Sequence, residues 1–125
     1  MSRILIVDDT PLMRDALHDV LGMAGHEVVM AENGARALER IDEGETFDLI
    51  ITDIIMPEMD GIQTIIEVRS RLPKTRIIAI SGGSARLDKG RGLDTAERLG
   101  AVAVLEKPFE VDALLDAVNA ALEMA

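Results

Sequence analysis

Apolar residues in this chain follow two periods that alternate along its length. Short aliphatic runs (Ile4 to Val7, Leu49 to Thr52, Ile77 to Ile80, Ala101 to Leu105) are separated by stretches in which apolar residues return every three or four positions. Nearly continuous apolar runs read as strands buried on both faces, and the stretches between them as amphipathic helices. After Asp9, Thr10 and Pro11 read as an N-cap followed by proline at the first helical position. Met13, Leu17, Val20, Leu21 and Ala24 then form the apolar face of a first helix, closed by Gly25. Glu27 to Ala31 is predicted as a second strand, and Asn33-Gly34 caps a second helix with Ala37, Leu38 and Ile41 inward. The third strand is predicted from Asp48 to Asp53, followed by the turn-rich Met56-Pro57-Glu58-Met59-Asp60-Gly61. A third helix carries Ile62, Ile65, Ile66 and Val68 inward to about Leu72, and the fourth strand is Arg76 to Ile80. Ser81 to Gly92, rich in Gly, Ser and charge, is predicted as a loop, with a short helix from Asp94 to Leu99 ending at Gly100. The fifth strand is Ala101 to Leu105, and Val111 to Leu122 closes the chain as a helix with Leu114, Leu115, Val118 and Leu122 periodic.

Strand followed by helix, about five times over, predicts an α/β fold with a parallel sheet. All strands of such a sheet point the same way, so their carboxyl ends share one edge, where ligands of open α/β folds bind. Asp8-Asp9 follows the first run, Asp53 the third, Ser81 the fourth and Lys107-Pro108 the fifth. The fold is therefore expected to gather three carboxylates, a hydroxyl and an ammonium from residues scattered between 8 and 107.

Composition narrows the classes. The 125 residues suit one domain, residues 1–125, with no internal repeat or interdomain linker. The hydrophobic fraction of 48% supports an aliphatic and Met-based core, Phe47 and Phe109 being the aromatic residues. Without cysteine there is no disulfide, thiolate metal site or Cys nucleophile. A net charge of -10 opposes binding to nucleic acid and to anionic membranes, so neither is an expected partner. No signal peptide or spanning run is present, and the expected location is cytoplasmic.

Three carboxylates in one cleft raise one another's pKa values or recruit a cation. His18 and His26 lie on unrelated segments, which speaks against zinc. Carboxylates and water suit a hard ion, and Mg²⁺ keeps coordination positions open for phosphate oxygens. A carboxylate is also a competent nucleophile toward phosphorus, and phosphoryl transfer needs positioning and charge neutralisation more than proton shuttling. A cation, Lys107 and the Ser81 hydroxyl would together provide that neutralisation.

Taken singly, an Asp pair after a strand reads as a solvated loop start, and Lys107 as an exposed lysine. Taken together, Asp8-Asp9, Asp53 followed by Met56-Pro57 and Asp60-Gly61, Ser81, and Lys107-Pro108-Phe109 resemble the receiver domains of two-component response regulators, in the family's order and along essentially the whole chain. The resemblance implies a flavodoxin-like, doubly wound (βα)5 fold with a five-stranded parallel sheet in the order 2-1-3-4-5 known from chemotaxis receivers. It implies that Asp53 accepts a phosphoryl group from a histidine kinase or histidine phosphotransfer protein. Asp8, Asp9, Asp53 and the backbone carbonyl of Ile55 would hold Mg²⁺ (or Mn²⁺), while Ser81 and Lys107 would contact the phosphoryl oxygens. The helix near Leu12 and Met13 would dock the phosphodonor. A downstream target would bind the face made by the helix over 94–99, the fifth strand and the closing helix. Lys107-Pro108 resembles the family's cis peptide.

Three departures from the family pattern stand out. Val104 occupies a position where many receivers carry Tyr or Phe, which weakens the expected serine–aromatic coupling. Ile55 and Gly83 occupy positions that tune water access, and a branched apolar side chain there predicts a long-lived phosphoryl state. The 81–92 segment is longer than usual and, with Arg98 beyond it, carries Arg86, Lys89 and Arg91. This basic 84–98 stretch reads either as a solvated loop or as a surface for an anionic ligand. The latter would suit a receiver-like module that binds partners without phosphorylation. An aspartyl phosphatase would need an added acid, which Ile55 does not offer, and a flavin protein would need aromatic stacking that the chain lacks.

Overall fold

Residues 2–54, 61–81, 100–106 and 109–123 are described by a computed structural model. The expected loop over 81–92 (beyond Ser81 itself), the expected helix over 94–99, Ile55, Gly83 and Lys107-Pro108 lie outside these residues. The elements are β1 (Arg3–Val7), α1 (Pro11–Met23), β2 (Glu27–Ala31), α2 (Gly34–Asp42), β3 (Leu49–Asp53), α3 (Gly61–Arg71), β4 (Arg76–Ser81), β5 (Ala103–Glu106) and α4 (Val111–Glu123). All strand pairings are parallel, in the order β2-β1-β3-β4-β5. The register aligns Val7 with Ala31 and Thr52, and Asp53 with Ile80, so the carboxyl ends of the strands form one edge.

Side chains alternate across each strand, and here both faces are apolar. Leu5, Val7, Ile50, Ile77 and Ala79 point to one side, against Ala37, Leu38 and Ile41 of α2 and Ile65 and Val68 of α3. Ile4, Ile6, Leu49, Ile51, Ile78 and Ile80 point to the other, against Leu17 and Leu21 of α1 and Leu114, Val118 and Ala121 of α4. Val104 is half-buried on the α2/α3 side, where its short branched side chain completes the core.

Helix ends follow local chemistry with one exception. The Asn33 side-chain oxygen accepts the Arg36 N–H at 2.9 Å, capping α2 as its position predicts. Thr10 occupies the N-cap of α1 with an extended backbone, yet its side chain makes no capping bond; Pro11 fills the first position. At the other end Gly25 adopts φ +94°, its N–H bonds the Gly22 carbonyl, and the His26 N–H bonds the Leu21 carbonyl. That pair of reversed bonds is a Schellman closure, which needs the left-handed region. Gly44 and Glu45 close α2 in the same way.

Four expectations shift. Ile66 is 44% exposed, because the buried stripe of α3 runs through Thr64, Ile65 and Val68 and a step of one residue rotates by about 100°. Ala24 is exposed beyond the last turn of α1 rather than on its inner face. Met23, expected as packing, is 88% exposed. β5 starts at Ala103, not Ala101: Gly100 (φ +106°) turns the chain, and the first bond to β4 is made by the Val102 N–H to Ile77.

Candidate phosphoryl-transfer and metal site

β1 and β3 lie side by side, and each ends in acid. Asp8 and Asp9 follow Val7, and Asp53 is the last residue of β3. One carboxylate oxygen from each of Asp8, Asp9 and Asp53 falls within 4.8 Å of the others. Asp8 and Asp53 are only 1% and 4% exposed, while Asp9 is open to solvent. The cleft is thus walled by protein below and open at Asp9.

Asp8 is held firmly. Its N–H bonds the Ala31 carbonyl at 3.2 Å, and one of its carboxylate oxygens accepts the Thr10 N–H at 2.9 Å. Its carbonyl accepts an N–H of the Arg14 guanidinium at 2.7 Å. The Thr10 contact is an Asx-turn, the local bond a short acid readily forms with the backbone two residues on. Three carboxylate oxygens at this separation carry like charges in a low-dielectric recess, an arrangement made favourable by a small cation of high charge. An all-oxygen donor set fits a hard divalent ion.

Of the other expected site residues, Ser81 ends β4 and pairs with Glu106 of β5, which puts its backbone on the same edge of the sheet. Ile55 and Lys107 fall outside the described residues, as do Arg86, Lys89, Arg91 and Arg98 of the basic stretch. His18 is exposed on α1, beside Asp19 at 3.5 Å, and the His26 ring nitrogen accepts the Ser2 N–H at 3.3 Å; neither approaches the cluster. Reading the sequence alone missed Arg14. Its signal was modest: a cation in the first helical turns after an acidic pair, where long side chains lean back toward the helix N-terminus.

Among the described residues, no helix is long and apolar enough to cross a membrane. Cavities lie on both sides of α1. One, of about 510 Å³, opens between Arg14, the end of β2 and α2; its Arg36 is paired with Glu39 at 2.9 Å and its Arg40 with Glu45 at 3.3 Å. The other, of about 210 Å³, is apolar and lies between α1 and the start of α4, lined by Met13, Leu17, Val20, Phe109 and Leu114. Leu12, in the first turn of the same helix, is 80% exposed.

Comparison with known proteins agrees with this architecture. The chain is 43% identical over 121 residues to the chemotaxis protein CheY of Bacillus subtilis, covering 96% of this chain and 97% of that protein. A CheY-like response regulator receiver domain protein from Methanospirillum hungatei superposes with a TM-score of 0.89 at 28% identity, over 98% of this chain and 94% of that one. The response regulator protein TrrA of Thermotoga maritima, solved in complex with Mg²⁺ and BeF, superposes with a TM-score of 0.80 at 33% identity, over 97% and 99% of the two chains. Residues 4–119 match the family model of the response regulator receiver domain, and the chain belongs to that signalling family of two-component systems.

Proposed function

We propose that Asp53 is the phosphoacceptor of a CheY-like receiver occupying residues 1–125, loaded by a histidine kinase or histidine phosphotransfer protein in the cytoplasm. The observation that carries the reading is the gathering of Asp8, Asp9 and Asp53 within 4.8 Å at the ligand-binding edge of the sheet. An oxygen of Asp53 attacks phosphorus in line with the donor's N–P bond. That bond breaks with its electron pair going to the imidazole nitrogen, leaving an acyl phosphate on Asp53 and a free donor histidine. Asp8, Asp9, Asp53 and the Ile55 carbonyl would hold Mg²⁺ or Mn²⁺. A bound divalent ion supplies charge neutralisation for the carboxylates and the phosphoryl oxygens. Ser81 and Lys107 contact the remaining phosphoryl oxygens. The Mg²⁺-bound relative TrrA supports this assignment.

Burial gives the three acids different roles. Asp8 and Asp53 are nearly covered, Asp8 being held also by the Thr10 N–H, and Asp9 is the exposed rim. The exposed Leu12 and the neighbouring apolar cavity support docking of the donor on α1. The added charge then reorders nearby segments and changes the face formed by residues 94–99, β5 and α4, which engages a downstream protein.

Intact-protein mass after incubation with acetyl phosphate tests the reading, and the lack of Trp and Tyr makes mass preferable to intrinsic fluorescence. One phosphoryl adduct is expected, dependent on Mg²⁺ and missing in Asp53→Asn. A folded protein that takes up no phosphoryl group under any condition would overturn it.

A further inference from the structure

We propose that Arg14 is a positioning residue for the carboxylate cluster. Its guanidinium holds the peptide that joins Asp8 to Asp9 and so fixes how both carboxylates are presented to a divalent cation. The inference rests on the metal-binding reading above.

The Arg14 N–H meets the Asp8 carbonyl oxygen at 2.7 Å, a length typical of a charge-assisted bond. That carbonyl and the Asp9 N–H are two ends of one planar unit, so holding the oxygen restricts the direction in which Asp9 leaves the strand. Asp8 already has its N–H bonded to Ala31 and a carboxylate oxygen bonded to Thr10. The Arg14 bond adds a restraint on the carbonyl side, the side that leads to Asp9.

The choice of acceptor is informative. Arg3, Arg36, Arg40 and Arg71 each pair with a carboxylate within 3.3 Å. Arg14, like Arg69, makes no ion pair among the described residues of this acidic chain and bonds main-chain carbonyl oxygen instead. Arg14 lies against the end of β2, lining the groove with Met30 and Ala31, whereas Asp53 is on β3, across β1 from β2. It therefore acts through the Asp8-Asp9 peptide from behind, in the manner of outer groups that orient metal ligands, whose loss commonly weakens metal binding about 10- to 100-fold.

The sign of the effect separates positioning from simple charge. A cation beside a cation site repels the incoming ion, so removing the Arg14 charge would by electrostatics alone tighten Mg²⁺ binding. Positioning predicts the reverse. The test is calorimetric titration of the whole chain with MgCl₂, with amide NMR spectra to confirm the fold. Arg14→Met should bind Mg²⁺ about tenfold more weakly than wild type. Arg14→Lys, which keeps a charged N–H donor, should recover most of the loss, and the Asp9 amide shift should move in Arg14→Met and return in Arg14→Lys. Equal or tighter binding by Arg14→Met overturns the proposal. Should Arg14→Met fail to fold, Arg14→Gln is read instead: it loses the charge but keeps a shorter donor, and tightening there is equally fatal. No saturable Mg²⁺ binding by wild type would instead overturn the metal reading itself.

Discussion

The two edges of the sheet handle charge in opposite ways. At the amino-terminal edge, Arg3 bonds Glu27 at 3.1 Å, Glu45 at 2.7 Å and the Thr46 carbonyl at 2.8 Å, while its own N–H bonds Asp48 and its guanidinium covers the Phe47 ring at 4.7 Å. One cation there ties the entries of β1, β2 and β3 together. At the carboxyl edge, the same strands β1 and β3 bring three like charges within 4.8 Å. Opposite charges paired around a hub hold the fold; like charges gathered in a recess form a cluster that could hold a metal ion. Proteins commonly give up stability at such sites in return for activity.

That contrast can be broken or sharpened by substitution. The largest expected effect is chemical: Asp53→Asn should abolish the phosphoryl adduct in intact mass while leaving the amide spectrum that of a folded protein. Next, replacing Arg3 by Met should lower stability in urea by about 1–2 kcal/mol, from lost packing and hydrogen bonds at a partly exposed site, and leave phosphoryl uptake unchanged. The mirror experiment is Asp9→Asn. It should raise the stability of the Mg²⁺-free protein slightly through relief of repulsion, and remove the stabilisation that added Mg²⁺ gives wild type. The smallest effect is on pH. The hydrogen bond from Arg3 depresses the Glu45 carboxyl below its ordinary 4.5. Its contribution is therefore present above about 4.5 and lost as pH falls through the lower folded value, so Glu45→Gln should flatten that acid limb of a stability–pH curve.

Most of the fold was legible because both its periods are strong. The runs around Ile4, Ile50 and Ile78 are buried on both faces, and strand order follows from the family resemblance. Misreadings came where spacing admits two answers. From Ile62, both Ile65 and Ile66 satisfy helical return, and packing on the sheet chose Ile65. At the fifth strand, apolar Ala101 and Val102 continue the run, but the left-handed turn at Gly100 delays regular pairing to Ala103. Within the site, Asp8, Asp9 and Asp53 were found because each ends an apolar run. Arg14 was not, since nothing in a list of residues says that a helical arginine turns back onto a carbonyl six residues before it, outside the helix.

Of the three clustered carboxylates, Asp53 is the proposed carrier of the phosphoryl group. Borohydride reduces an acyl phosphate to the alcohol, so treatment after acetyl phosphate and Mg²⁺ converts the acceptor aspartate to homoserine, which peptide mass spectrometry can locate. Homoserine at Asp53, with Asp8 and Asp9 intact, is the result the account predicts. Homoserine at Asp8 or Asp9, or at none of the three, would contradict it.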